Sequence, residues 1–188
     1  ASPVSGNPKV VKSGRLTVVV SGPRDAYDTA ESYIEQFGRK VTYVGGGDEA
    51  RLVKIAHNLM LGVVTQSMAE ITLLCEKAGV KRSDFLEFLN DSVMGSTFTK
   101  YKTPAFVNLD YTPTFTSHLL RKDLELGLEA SRLEDVPLPL TALTHQIVME
   151  NIGLGQGDED FANLLSRHAA ASGMEIEPEG IDVSTGLE

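Results

Sequence analysis

The sequence has 188 residues, 41% hydrophobic and 23% charged, which is the composition of a globular chain of one or two domains and excludes wholesale disorder. Acidic residues outnumber Lys and Arg by 26 to 17, a net charge of −9, which argues against electrostatic capture by nucleic acid or an anionic membrane. The single cysteine, Cys75, excludes an internal disulfide framework and suits a reducing cytoplasm, and 6% aromatics without Trp supply no platform for stacking bases.

No uninterrupted apolar run reaches about 18 residues, so no membrane span is expected. The opening Ala-Ser-Pro, without Met, reads as a sequence joined midway. Leu16 to Val20 is β-branched and apolar between Gly14 and Gly22-Pro23, which predicts a buried strand. Ala26, Tyr27, Ala30, Tyr33, Ile34 and Phe37 fall at helical spacing, with Gly38 as a stop. Val41 to Val44 predicts a second strand, closed by Gly45-Gly46-Gly47. This β-α-β unit is too small to form an independent sheet domain.

From Glu49 to Ala78 the chain has no Pro and one Gly, Gly62, and apolar residues cover nearly every face, the pattern of a core helix roughly 45 Å long. Gly79 ends it, and Ser83 is expected to cap a helix through Leu89. Residues 95–114, with Pro104 and Pro113, read as loop-rich. Helices are expected from Ser117 to Leu133, from Leu140 to Asn151, and from Glu159 to Ala171 with Asp158 as its cap. Residues 173–188 carry five acids and no Lys or Arg, and are expected to be disordered. The expected organisation is an incomplete α/β unit at 1–47, a helical domain at 48–172 and an acidic tail at 173–188.

Lys54 is the anomaly. It lies in Leu52-Val53-Lys54-Ile55-Ala56, inside the most apolar helix, where burial penalises an ammonium and tunes it to exchange a proton. His57 and Asn58 share its face, forming a polar stripe on a greasy rod. Snorkelling of Lys54 to solvent, with His57 and Asn58 in ordinary core hydrogen bonds, is the alternative. Ser5-Gly6-Asn7 is a small turn whose backbone N–H groups could bind a carboxylate, or a plain surface turn. Phe115 and Lys122-Asp123 either line a site or form an aromatic staple with a solvated charge pair. The remaining histidines and Cys75 lack metal-ligand spacing, so no metal is expected, and no Gly-x-Gly-x-x-Gly fingerprint is present.

In order along the chain stand Pro3-Val4-Ser5-Gly6, Gly14-x-Leu16-Thr17, Lys54-x-x-x-Asn58, Phe115 seven residues before Lys122-Asp123-Leu124, and Pro137-Leu138-Pro139-Leu140. Together they resemble the carboxyl-terminal part of the β-hydroxyacid dehydrogenases, the family of 3-hydroxyisobutyrate dehydrogenase, tartronate semialdehyde reductase and threonate dehydrogenase. The resemblance runs from residue 1 to about 168. It implies a mainly α fold: an all-helical domain like the carboxyl-terminal domain of 6-phosphogluconate dehydrogenase, preceded by a β-α-β remnant of a Rossmann domain. It also implies NAD or NADP as cofactor, a small 3-hydroxyacid or its semialdehyde as substrate, and a homodimer or higher homo-oligomer. Lys54 matches the family's catalytic lysine and Asn58 the asparagine beside it. Ser5 and Gly6 match the turn that holds the substrate carboxylate. Asn7 stands where a second glycine is usual, and His57 where asparagine is commoner. Phe115 and Lys122 match residues on the nicotinamide side. The family's glycine fingerprint is absent, so the chain is expected to be a substrate-side piece, inactive alone.

Two alternatives stand beside this. Lys54, His57 and Asn58 also match the Lys-x-x-His-Asn of 6-phosphogluconate dehydrogenase, but Leu59 and Leu61 replace that enzyme's Gly and proton-donating Glu. The other is a non-catalytic helical dimerisation module.

Overall fold

The computed structural model describes residues 1–187, and the sheet among them ends at Gly45. Three strands lie side by side in chain order: β1 (Val4–Ser5), β2 (Thr17–Ser21) and β3 (Lys40–Gly45). β1 runs antiparallel to β2 with Ser5 opposite Thr17, and β2 runs parallel to β3 with Thr17 opposite Lys40. The parallel pair needs a crossover, supplied by α2 (Arg24–Ile34), whose Tyr27 packs with Val18 and Val20 in a small core. Between β1 and β2 lies the short α1 (Pro8–Lys12), with Pro8 in its first turn and the Asn7 side chain accepting from Val10 N at 3.0 Å. The expected β-α-β unit is present, with β2 one residue later than expected and β3 one residue longer at each end.

The sheet aims the long helix. Ser21, at the end of β2, turns its buried Oγ to the Ala50 N–H at 3.0 Å and satisfies a donor that the first helical turn leaves open. From there α3 (Glu49–Lys77) runs for 29 residues. By length and composition it could cross a membrane, with mean hydropathy 1.3 over an 18-residue window. In this fold it is instead the axis of a helical domain. Met68, Ala69 and Leu73 from its far half meet Leu86, Phe106 and Leu165 in the main core. Its near half meets α6 (Ser117–Leu133) closely, because each helix offers the other a glycine. Gly62 faces Leu120 and Leu124, and a Cβ on Gly127 would stand 2.4 Å from Leu59. α7 (Pro139–Asn151) and α8 (Leu164–Ala171) complete the layer around them.

The structure corrects the sequence reading in four places. Residues 95–114 are not mainly loop. They contain α5 (Thr97–Asn108), opened by a capping box between Ser96 and Thr99 and closed by Leu109 in a left-handed conformation at φ 54°. Pro104 lies inside it. The last helix is split: Asp160, not Asp158, caps a 3-10 turn at Phe161–Asn163, and α8 follows. α4 (Arg82–Asp91) starts earlier than expected and is not capped by Ser83.

The fourth correction explains the third. The tail beyond Gly173 has no helix or strand among the described residues, yet it is not loose chain. Its Glu179 carboxylate accepts from Arg82 N at 2.7 Å and so caps α4, where a helix N-terminus favours negative charge. The Arg82 guanidinium, 1% exposed, pairs with Glu76 and donates to the backbone oxygens of Val107 and Glu177. Met174, Ile176 and Val183 pack against the main core. One of the acids that made this segment read as disordered, Glu179, is thus a partner of a buried arginine.

Deleting residues 174–188 should therefore lower unfolding stability by roughly 3 kcal/mol or more, through lost apolar burial and an under-partnered Arg82. Urea unfolding of the truncated chain measures this; unchanged stability would contradict it.

Candidate active site

The cavity of about 580 Å³ between the sheet edge, α3 and α5 gathers residues far apart in sequence. Ser5, Gly6 and Asn7 line one side, Lys54, His57 and Asn58 the α3 side, and Phe115 the far wall. Seven of the eight candidate residues from the sequence thus share one space. Lys122 is the exception. It does not line the cavity, and its Nζ donates to Asp123 Oδ1 at 2.5 Å.

The polar stripe of α3 is wired into a chain of hydrogen bonds. Asn58, 6% exposed, donates from Nδ2 to Asp123 Oδ2 on α6 at 2.6 Å. Its Oδ1 lies 2.9 Å from His57 Nδ1, and His57 Nε2 lies 3.0 Å from Ser5 Oγ. The carboxylate only accepts, so Asn58 turns its amide nitrogen to Asp123 and its oxygen to His57. His57 Nδ1 must then carry a hydrogen, and in the neutral imidazole Nε2 accepts the Ser5 hydroxyl hydrogen. Both polar atoms of the Asn58 side chain thus already serve a protein partner. Asn7 is partly structural too, because its Oδ1 caps α1.

Lys54 stands beside this chain without joining it. It is half-buried, and no hydrogen bond or ion pair holds its amine among the described residues. Burial holds its pKa below the ordinary lysine value; the Asp123 charge pulls in the opposite direction, and Lys122 adds to the lowering. Asp123 is already hydrogen-bonded to Asn58 and Lys122, so it gives Lys54 a field and no bond. An amine of this kind can release and recover a proton.

The opposite wall escaped the sequence reading because it belongs to α5. Ser96, Thr97, Phe98, Tyr101 and Lys102 all line the cavity. Their spacing is helical, and the Ser96-x-x-Thr99 cap was a signal; Pro104 obscured it. Lys102 is 3% exposed and donates to Asp160 Oδ1 at 2.5 Å, with its amine 4.1 Å from the Phe161 ring centroid. Asp160 also accepts from Thr114 N and Oγ1 and from Ala162 N. Burial alone pushes this carboxyl up, but Lys102 and these donors hold it below the ordinary carboxylate range. One buried carboxylate thereby fixes α5, the strand of chain before Phe115, and Phe161, whose ring stands edge-on to Phe115 at 5.9 Å. Among the described residues no cluster of three or more His, Cys, Asp or Glu could hold a metal ion.

Residues 49–167 match the family model described as the NAD-binding domain of NADP-dependent 3-hydroxyisobutyrate dehydrogenase, and residues 1–45 match the NAD-binding domain of 6-phosphogluconate dehydrogenase. The chain belongs to the β-hydroxyacid dehydrogenase family, as its carboxyl-terminal part. It is 31% identical over 176 residues to 2-(hydroxymethyl)glutarate dehydrogenase of Eubacterium barkeri, covering 93% of this chain and 58% of that protein. It is 33% identical over 160 residues to L-threonate dehydrogenase of Cupriavidus necator, covering 85% and 54% respectively. The chain thus spans little more than half the length of these relatives. Its fold matches that of 3-hydroxyisobutyrate dehydrogenase from Salmonella typhimurium with a TM-score of 0.81 at 24% identity, over 88% of this chain and 59% of that one. The mainly α fold with a Rossmann remnant is therefore as expected.

The two neighbours of Lys54 give opposite predictions. Asp123→Asn removes an anion that favours the ammonium, so the Lys54 pKa should fall further. Lys122→Gln removes a repelling cation, so it should rise. Side-chain NMR titration of both variants measures the shifts; movement in the same direction would contradict the assignment.

Proposed function

We propose that this chain is the substrate-binding and proton-transferring half of an NAD(P)-dependent 3-hydroxyacid dehydrogenase, acting on a small 3-hydroxyacid or its semialdehyde. The observation that carries this reading is the shared cavity of Lys54 and the Ser5-Gly6 turn. The N–H groups of Gly6 and Asn7 make no hydrogen bond among the described residues, so they are available to a carboxylate. The Ser5 hydroxyl hydrogen is taken by His57, which leaves the backbone donors to hold the acid end. Lys54, as the neutral amine, would remove the proton from the substrate hydroxyl and return it in the reductive direction.

The residues present suit a nicotinamide on the far wall. Phe115, backed by Phe161, gives an apolar ring face on the cavity and would exclude water there. Bound NAD(P) supplies the hydride acceptor or donor. Lys122, outside the cavity lining and paired with Asp123, keeps its place on the nicotinamide side by resemblance alone. The rest of the cofactor's binding surface is assigned to a Rossmann half, joined to this chain in a cytoplasmic homodimer or larger homo-oligomer, and the chain alone is inactive.

No Asp or Glu lines the cavity among the described residues, and Leu61 stands in its wall. A decarboxylating reaction of the 6-phosphogluconate type needs an acid to protonate the enol carbon, so simple oxidation and reduction fit better. A purely structural module would have no use for a desolvated amine facing a carboxylate-binding turn.

In the complete enzyme, Lys54→Ala should lower turnover of 3-hydroxyacids by about 10²–10⁴-fold while leaving the fold intact. Steady-state kinetics with circular dichroism measures this. Near wild-type turnover would remove Lys54 from the chemistry, and carbon dioxide release would favour the decarboxylating reaction.

A further inference from the structure

We propose that the cavity has a second anion-binding end, formed by Arg15 and Arg39, which receives a second acidic group on the substrate. This extends the reading above and rests on it only for the first end, at Ser5-Gly6. The strand register places the two ends on one edge. Ser5 pairs with Thr17, and Thr17 with Lys40, so a row crosses the sheet from the turn toward β3. Arg15 and Arg39 come just before the two strands at that row, and Arg39 N donates to Leu16 O at 2.7 Å, which ties the approaches together. Both arginines line the same cavity as Ser5 and Lys54.

The charge balance of the cavity points the same way. The chain as a whole carries −9, yet among the described residues the cavity lining has four Lys or Arg side chains, Arg15, Arg39, Lys54 and Lys102, and no carboxylate. Lys102 is neutralised by Asp160 at 2.5 Å. Arg15 donates to the Gly186 carbonyl, a neutral group, and the Arg39 side chain makes no hydrogen bond or ion pair among the described residues. Two arginines therefore line the cavity with no anionic partner among the described residues. Their planar forks suit a carboxylate or a phosphate. The N-terminus of α5, where Ser96 and Thr97 line the cavity, adds to the positive field. The substrate class is a small hydroxyacid with an acidic group at each end.

Unreactive acids test this on the chain itself, without turnover. Titration calorimetry compares succinate, glutarate and adipate with butyrate, valerate and hexanoate, and adds 3-phosphonopropionate. At least one doubly acidic probe should bind about tenfold or more tightly than its singly acidic counterpart. The better of the carboxylate and phosphonate arms identifies the second group. Arg39→Gln should remove the preference without changing the thermal unfolding midpoint, because that side chain holds nothing in the fold. Arg15→Gln should weaken it, and Arg132→Gln, the same charge change on α6, should leave it unchanged. Equal binding of the two classes, no binding of either, or a preference that survives the double Arg15→Gln/Arg39→Gln variant would overturn the proposal. A preference that depends on Arg39, together with a complete enzyme that turns over no hydroxyacid, would keep the second anion end and reject the dehydrogenase reading.

Discussion

A lysine on an apolar helix needs an anion close enough to tolerate and distant enough not to capture it. The α3–α6 interface meets that requirement through Asp123. Its carboxylate is bonded to Asn58 at 2.6 Å and to Lys122 at 2.5 Å, so its charge reaches Lys54 while each of its oxygens already accepts from another donor. The contact depends on two glycines that let the helices approach. It also depends on Ser21, which fixes the start of α3 one turn before Lys54. Sheet, helix crossing and lysine are one mechanical unit. A change in any of them would alter the amine's surroundings.

The other half of the cavity depends on a second buried carboxylate. Asp160 is the anchor for Lys102, for the chain entering Phe115 and for the 3-10 turn holding Phe161. Burying such a pair is costly in itself, and removing one partner is worse, because an uncompensated charge stays behind. Its value here is specificity of placement. The aromatic wall and the α5 wall meet at one carboxylate, which fixes one against the other.

Much of this was legible in the sequence. β-branched runs marked β2 and β3, and continuous hydropathy marked α3 as the central helix. The polar interruption at Lys54, His57 and Asn58 singled out the face that lines the cavity, since polar side chains on such a rod need a purpose. What could not be read was tertiary in origin. Pro104 masked α5, whose ends are a capping box and a left-handed leucine rather than a glycine. The acidic tail had the composition of a disordered segment, and what anchors it is tertiary: Glu179 on Arg82, and the core that takes Met174, Ile176 and Val183. Asp160 was one acid among many until folding placed Lys102 beside it. The occupied state of Asn58 was likewise invisible, since spacing shows which residues share a face but not which bonds they have already made.

The account rests on the Lys54 amine being easier to deprotonate than its surface counterparts. Competitive labelling of the unmodified chain with a trace of acetic anhydride, from about pH 7 to 11, reads the titration of every lysine in one experiment. The predicted result is a Lys54 midpoint below those of exposed lysines such as Lys40. A midpoint equal to or above theirs would contradict the claim that a desolvated, unbonded amine lies at the centre of this site.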